Sequence, residues 1–132
     1  MVLKNSIVMD IDGVICPIKE PSESYENLVP NSKVVEKMKE WRSKGFNIVL
    51  STSRNMKTFQ NNIGMINKQT VPTLIDWLNK WEIPFDELYV GKPWPGPEGF
   101  YVDDRSVRPN EFINMSAEEL NSLMQNGRSN LV

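Results

Sequence analysis

The chain contains no histidine and only one cysteine, and both shortages exclude large classes of chemistry. Without histidine there is no Ser-His or Cys-His nucleophile pair, and the common imidazole-based zinc sites are excluded as well. One cysteine cannot form an internal disulfide, so we expect a reducing, cytoplasmic setting. Cys16 is followed six positions later by Ser22 and not by the arginine of a cysteine-based phosphatase loop, so we expect it to pack in the core. Catalysis would therefore use carboxylates, hydroxyls, lysine, arginine and metal.

The sequence also lacks an excess of either charge and any long apolar segment. Its formal net charge is −2, which gives no general attraction to nucleic acid. No apolar run approaches membrane-spanning length and no signal-peptide pattern is present, so we expect no membrane partner. A length of 132 residues predicts a single domain with its own core.

Strand and helix patterns alternate along the chain. Short apolar runs predict strands at about 5–11, 46–50, 88–90 and 100–102. Helices are predicted to begin at the caps Asn31 or Ser32, Thr70 and Ser116. Residues 55–69 are predicted to form a polar loop, and Gly127 to end the last helix at about residue 126. This alternation predicts an α/β protein whose parallel sheet carries helices on both faces.

All four predicted strands end in polar or charged residues. Ligands of parallel α/β sheets bind at the carboxyl ends of the strands, so these residues would share one edge. The ends carry Asp10 and Asp12, the run from Ser51 to Arg54, the run from Gly91 to Pro93, and the run from Asp103 to Arg105. One polar strand end means little by itself, but four ends with these residue types indicate a site.

The strongest motif is the pair Asp10 and Asp12, one residue apart in an extended chain and so on the same side of it. Gly13 then allows the backbone to turn away. Two buried like charges are costly unless a cation compensates, and Mg²⁺ with a phosphate ester would supply that cation. We expect Asp10 to attack phosphorus and form an aspartyl-phosphate, and Asp12 to act as general acid and base. An Asx-rich turn without function is the alternative.

The remaining strand ends fit the same chemistry. Thr52 and the adjacent backbone amide are predicted to hold phosphoryl oxygens, and Lys92 to neutralise the nucleophile and the phosphoryl charge. Asp103 would complete an oxygen site for Mg²⁺ with Asp10 and the backbone carbonyl of Asp12. Asp104 would support Lys92 or a water on the metal.

The chain resembles the haloacid dehalogenase superfamily over about residues 5–110, in four ordered motifs: DxDGV at 10–14, Thr-Ser-Arg at 52–54, Lys92, and the Asp pair at 103–104. The stretches 53–56, 90–94 and 100–105 are similar to small phosphatases encoded with bacterial capsular-polysaccharide biosynthesis. The resemblance implies a Rossmann-like three-layer core and Mg²⁺-dependent hydrolysis of a small-molecule phosphate ester, such as a sugar phosphate. Ser51, Thr52 and Ser53 all carry hydroxyls, and the superfamily pattern favours Thr52 as the phosphate-binding one.

Many members of this superfamily carry a cap domain, but this sequence has no room for one. The unassigned stretches 13–30 and 55–69 are far shorter than the roughly 50 residues of the smallest domains. We therefore expect a site that is open or covered by a neighbouring subunit of a homo-oligomer. The predicted substrate contacts are Gly13, Ser53, Arg54, Asn55 and Lys57. A solvated polar surface is the alternative interpretation of the loop that follows Ser53.

Two functions of other classes remain open. A receiver-type signalling domain shares the α/β fold, acidic residues, Thr, Lys and Mg²⁺, but its phosphorylated Asp ends a middle strand, where this chain has Ser/Thr or Lys. A non-catalytic binding protein on the same fold is the other alternative. Asp12 counts against it, because a relative without turnover could lose an acid/base residue freely.

Overall fold

The structure is a computed structural model and describes residues 4–129. It contains two compact units, one extending to Trp94 and the other beginning at Pro95. In the described part of the chain, the first unit alternates strands and helices, and the second contains two helices. Within residues 4–129, no helix is both long enough and apolar enough to cross a membrane.

Three parallel strands form the sheet of the first unit. β1 is Ser6–Met9, β2 is Asn47–Thr52 and β3 is Glu87–Val90, with β2 in the middle. Leu50 of β2 pairs in register with Met9 of β1 and with Leu88 of β3. Leu50 is fully buried, as expected for the central strand of a parallel sheet. The predicted parallel α/β architecture is confirmed, and it is consistent with a Rossmann-like fold.

α1 (Ser32–Ser43) connects β1 to β2 and begins at a predicted cap. The Asn31 side-chain oxygen accepts hydrogen bonds from the backbone N–H of Lys33 at 3.0 Å and of Val34 at 3.3 Å. These bonds satisfy two donors that the start of a helix leaves unpaired. Val34 and Met38, on the same face, are buried. The sequence prediction for this helix is confirmed.

The connection between β2 and β3 is more helical than the sequence predicts. α2 (Ile63–Met65), a π-helical turn (Ile66–Thr70) and α3 (Val71–Lys80) follow one another without a break. The run begins at Asn62, whose side-chain oxygen accepts a hydrogen bond from Met65 N–H at 3.1 Å. Thr70 has helical backbone angles and makes no side-chain cap bond. The predictions of a loop through residue 69 and of a cap at Thr70 are therefore wrong.

The spacing of buried residues explains the longer helical run. Ile66, Thr70 and Leu74 recur every four residues and are all buried, so the apolar face of α3 continues backwards through the π turn. The sequence prediction places the start of the helix too late because proline is common in the first turn of a helix, and the prediction assigns Pro72 to that turn. The wide turn has the Val71 N–H bonded to the Ile66 carbonyl just before that proline. Residues up to Trp94 form one compact unit, and no cap domain is evident within the described residues.

The second unit contains α4 (Pro109–Asn114), which was not predicted, and α5 (Ala117–Ser129). α5 begins with the predicted capping box: Glu119 N–H donates to the Ser116 hydroxyl at 3.2 Å, and Ser116 N–H donates to the Glu119 carboxylate at 3.1 Å. The helix continues through Gly127, so the predicted end at that residue is wrong.

The strand predicted at 100–102 is not formed in the part of the chain that the structure describes. The Phe100 and Val102 side chains are 80% and 89% exposed. A strand of a parallel sheet is held by burial of its side chains and by a hydrogen-bonded neighbour. The prediction relied on a short apolar run alone, which has neither support here.

Candidate active site

The chain turns sharply after β1 and so places two aspartates at the carboxyl end of that strand. Gly13 has a φ of 87°, in the region that favours glycine, and its N–H donates to the Cys16 carbonyl at 2.7 Å. Ile11, between the aspartates, is completely buried. This buried residue anchors the turn while Asp10 and Asp12 remain partly exposed on either side of it.

Asp10 lies beside Lys92, which stands two residues beyond the end of β3. The Lys92 Nζ is 3.7 Å from Asp10 Oδ2, and the Ile11 N–H donates to Asp10 Oδ1 at 2.8 Å. Burial raises the pKa of Asp10, and the Lys92 charge opposes that rise. The Lys92 N–H also donates to the Thr52 carbonyl at 3.2 Å, which ties the ends of β2 and β3 together. The predicted pairing of nucleophile and lysine is therefore geometrically present.

Asp12 is held by Arg54, which follows β2. Arg54 Nη2 lies 2.8 Å from Asp12 Oδ1 and Arg54 Nε lies 3.0 Å from Asp12 Oδ2, so the guanidinium grips both carboxylate oxygens. The Arg54 side chain is only 2% exposed, and its Cζ lies 4.2 Å from the centre of the Tyr25 ring. Arg54 was predicted as a substrate contact, but in this conformation it offers almost no surface to a ligand.

Cys16 lies against the same carboxylate. Its Sγ is 3.6 Å from Asp12 Oδ1 and the residue is buried. Burial, with a smaller contribution from the Asp12 charge, raises the pKa of the Cys16 thiol to about 12. A thiol with such a pKa is not a nucleophile near neutral pH. Its burial agrees with the packing role predicted for Cys16.

Among the three successive hydroxyls, Thr52 is the buried one. Its Oγ1 accepts a hydrogen bond from Arg54 N–H at 3.0 Å, and its side chain lies at the carboxyl end of β2. Because a hydroxyl both accepts and donates, this bond leaves the hydroxyl proton as a donor. Ser51 and Ser53 are partly exposed. The choice of Thr52 as the phosphate-binding hydroxyl stays a prediction.

Asn55 and Lys57 stand in a compact turn that follows Arg54. Asn55 has a φ of 65°, its side-chain oxygen accepts from the Thr70 hydroxyl at 2.8 Å, and its Nδ2 donates to the Thr58 hydroxyl at 3.2 Å. These bonds give Asn55 a role in shaping the turn. Lys57 is exposed, and its Nζ lies 5.6 Å from the centre of the Trp94 ring.

Asp103 and Asp104 belong to the second unit. The Asp103 carboxylate accepts the Arg105 N–H at 2.9 Å, a bond that holds the pKa of Asp103 below its ordinary value. Asp104 forms an ion pair with Arg128 of α5, with 2.9 Å between Asp104 Oδ2 and Arg128 Nε. The metal roles expected for Asp103 and Asp104 stay predictions.

The first unit brings to this edge of the sheet oxygen ligands of the kind that Mg²⁺ favours, but only a small number of them. Among the residues that the structure describes, no three His, Cys, Asp or Glu side chains come together as a metal site. Mg²⁺ commonly takes only one or two carboxylates and fills its other positions with waters and substrate phosphate oxygens. The Asp10 carboxylate is partly exposed and accepts one backbone N–H, so it fits that mode of binding. Asp12 would contribute its backbone carbonyl, since Arg54 engages both oxygens of its side chain.

Sequence reasoning predicted that the two aspartates and Lys92 lie at one edge of the sheet, as they do, but it missed the partners of Asp12. An arginine two residues beyond the end of β2 was a usable signal, because β1 and β2 are adjacent and an Asp stands at the end of β1. Tyr25 had no such signal. It lies in a single 3₁₀ turn (Tyr25–Asn27) inside a proline-rich loop, where no periodicity indicates which side chain turns inwards.

The fold and the site define an α/β protein with two carboxylate–cation pairs at the carboxyl edge of a parallel sheet. A crystal structure of a structural-genomics target from Vibrio cholerae is similar to this chain, with 43% sequence identity and a TM-score of 0.88. The match covers 92% of this chain and 98% of the Vibrio cholerae chain. The chain belongs to the same family as that protein, whose description states no function. No family model and no curated protein matches the chain.

Proposed function

We propose that this protein is a Mg²⁺-dependent phosphomonoester hydrolase of the haloacid dehalogenase type, which works through an aspartyl-phosphate on Asp10. The observation that carries the proposal is a pair of contacts at the carboxyl edge of the sheet: Lys92 contacts Asp10, and Arg54 contacts Asp12. The proposed setting is the cytoplasm, and the proposed substrate is a small sugar phosphate or related alcohol phosphate of surface-polysaccharide biosynthesis. The substrate and setting rest on the sequence resemblance.

The charge balance of these two pairs supports a metal-dependent reaction. Two carboxylates face two cationic side chains, so the four groups sum to zero when both carboxylates are ionised, and to +1 when Asp12 carries the proton that the first step needs. A phosphate monoester brings a charge of about −1.5 to −2 into the site. Mg²⁺ would offset that charge, and it would stabilise the oxygens of the transferring phosphoryl group.

The side chains of the first unit then divide the reaction between them. Asp10 attacks phosphorus, and the bond from phosphorus to the ester oxygen breaks as Asp12 gives that oxygen its proton. Lys92, close to Asp10, stabilises the negative charge on the phosphoryl oxygens. In the second step Asp12 takes a proton from water, the water oxygen bonds to phosphorus, and inorganic phosphate leaves Asp10 as a free carboxylate.

Lys57 and Trp94 support a substrate with a sugar-like body. They project from the turn after β2 and the loop after β3, which leave the sheet at the edge that carries Asp10. An exposed aromatic face with a cation above it can contact a sugar ring and a second anionic group. With no cap domain evident in the residues that the structure describes, these two side chains are our proposed contacts for the part of the substrate beyond the phosphate.

A receiver domain is not favoured by any feature of the site. Its phosphorylated Asp would end a middle strand, whereas the middle strand β2 ends in Thr52.

The test is phosphate release from a panel of sugar phosphates, glycerol phosphate and p-nitrophenyl phosphate, with Mg²⁺ and with excess chelator. We expect hydrolysis that chelation abolishes and added Mg²⁺ restores. Asp10→Asn should be inactive, while the matched control Asp76→Asn, at an exposed position of α3, should retain wild-type activity. Full activity in excess chelator, or no release from any substrate with Mg²⁺, would overturn the proposal.

A further inference from the structure

A carboxylate, a guanidinium and an aromatic ring form a cluster at the turn that follows the proposed nucleophile. Arg54 bonds both oxygens of Asp12, and the Tyr25 ring covers the guanidinium with 4.2 Å between Cζ and the ring centre. Lys19 approaches the same ring, with its Nζ 5.3 Å from the centre. The loop between β1 and α1 therefore reaches Asp12 through Arg54.

The burial of Arg54 distinguishes this cluster from an ordinary surface ion pair. Its side chain is 2% exposed, against 21% for Asp12. Burying a guanidinium is costly and is tolerated when its hydrogen bonds are well made. The two parallel bonds fix the plane of the carboxylate, a constraint that a single lysine contact would not impose. An arginine used to recognise substrate would need exposed surface, which Arg54 lacks.

We propose that Arg54 is a positioning residue that sets the orientation of the Asp12 carboxylate, and that Tyr25 holds Arg54 in place for this task. The inference rests on the proposed function, because the acid/base role of Asp12 belongs to that proposal. Asp12 Oδ1 contacts both Arg54 Nη2 and Cys16 Sγ, whereas Oδ2 contacts Arg54 Nε. Oδ2 is thus the oxygen that exchanges the proton with the leaving group and with water.

Replacement of Arg54 tests the orientation directly. An acid that protonates the leaving oxygen matters more for a poor leaving group, so we compare glycerol phosphate with p-nitrophenyl phosphate. Arg54→Gln should lower kcat about a hundredfold for glycerol phosphate and less than about tenfold for p-nitrophenyl phosphate, with little change in KM. Arg54→Lys should behave like Arg54→Gln, because lysine keeps the charge without the fork. Arg42→Gln removes another arginine from an ion pair with an aspartate and should retain wild-type kinetics.

A double-mutant cycle distinguishes positioning from a general structural effect. If Arg54 acts through Asp12, adding Arg54→Gln to Asp12→Asn should not slow glycerol phosphate turnover further. Equal losses on both substrates, or losses that add in the double variant, would overturn the inference. In either case wild-type Mg²⁺-dependent activity would persist, so the proposed function would stand. Loss of the function itself would appear as an inactive wild-type protein.

Tyr25 gives a second test that leaves the ion pair intact. Tyr25→Phe keeps the ring above Arg54 and should retain activity, whereas Tyr25→Leu removes the ring and should slow glycerol phosphate selectively, by about threefold to tenfold. Melting temperatures of all variants identify any that fail to fold. If Arg54→Gln unfolds, because it leaves Asp12 without its partner, the two Tyr25 variants decide. Equal kinetics for Tyr25→Leu and Tyr25→Phe would overturn the proposed role of the ring.

Discussion

Two arginine–aspartate pairs lie at opposite ends of the central strand β2. At its amino end, Arg42 Nη2 is 2.7 Å from Asp86 Oδ1, and Asp86 Oδ2 accepts the Ile48 N–H at 2.8 Å. At its carboxyl end, Arg54 grips both oxygens of Asp12. The same two residue types therefore appear in two different settings, one at each end of β2.

The settings differ in exposure and in how far each carboxylate is compensated. The Arg42 side chain is 48% exposed, whereas that of Arg54 is 2% exposed. The Ile48 N–H, and then Arg42, hold the pKa of Asp86 below its ordinary value, so this charge is well satisfied. At the carboxyl end, a further carboxylate accompanies the Arg54–Asp12 pair: burial raises the pKa of Asp10 although the Lys92 charge opposes that rise, so the burial of this charge is only partly offset. A buried carboxylate whose charge is incompletely compensated indicates a binding site for a cation. A carboxylate whose charge is fully paired indicates a role in stabilising the fold.

The largest effect is expected from Asp10→Asn, which removes the proposed nucleophile and nearly preserves its shape. Turnover should fall by about four orders of magnitude or more, as it does when covalent catalysts are removed. The metal-free variant should melt no lower than wild type, because asparagine resembles the neutral form of Asp10 that burial favours. Phosphate release and thermal melting measure the two effects. A rate near that of wild type would contradict the aspartyl-phosphate mechanism.

Asp12→Asn should have the next largest effect, and that effect should depend on the leaving group. Glycerol phosphate should slow by about 10²–10⁴, the usual contribution of a general acid, while p-nitrophenyl phosphate should slow less in the first step. Because Asp12 also activates water, the aryl substrate should show a burst of p-nitrophenol. Rapid-mixing kinetics with a Mg²⁺ titration measure both. Equal slowing with a large loss of Mg²⁺ affinity would instead make Asp12 a metal ligand.

The parts of the fold that follow local rules were predictable from the sequence. The apolar runs that become β1, β2 and β3 are short and bounded by turn residues, and two of the predicted caps, Asn31 and Ser116, make cap bonds. The alternation of strands and helices also placed Asp10 and Lys92 at one edge of the sheet before any distance was known.

The parts that depend on tertiary contacts were not predictable. The helical run from Ile63 to Lys80 contains a π turn before Pro72, and only the burial of Ile66 shows that the helix continues backwards. Residues 100–102 carry a strand-like pattern, but a strand also needs a partner that sequence alone does not supply. Arg54 was assigned to the substrate: its position after β2 was a signal for a pair with an Asp after β1, but the sequence did not indicate that its charge would be buried there.

A smaller effect is expected at the edge of the site, where Lys57 stands over Trp94. Lys57→Ala should raise KM for a sugar phosphate substrate about twofold to fivefold with kcat unchanged, since an exposed cation contributes about 0.5–1 kcal/mol to such a contact. Lys68→Ala, at an exposed position of the π turn, is the matched control and should leave KM unchanged. Equal effects of the two variants would indicate general charge attraction instead of a specific contact.

The smallest effect on turnover is expected at the far end of β2, where Asp86→Asn should leave kcat and KM unchanged and lower only stability. The pKa of Asp86 lies below its ordinary value of 3.8 in the folded protein, so its ionised form stabilises the fold above the unfolded pKa. That contribution is lost as the pH falls through the lowered pKa. The free energy of unfolding of the wild-type protein should therefore exceed that of Asp86→Asn by about 1 kcal/mol near neutral pH, the usual net worth of one hydrogen bond in a folded protein, and the difference should vanish in strong acid. Melting temperatures of both proteins across this pH range measure it. A stability difference that stays constant with pH would show that the Asp86 charge is not what holds Asp86 against β2.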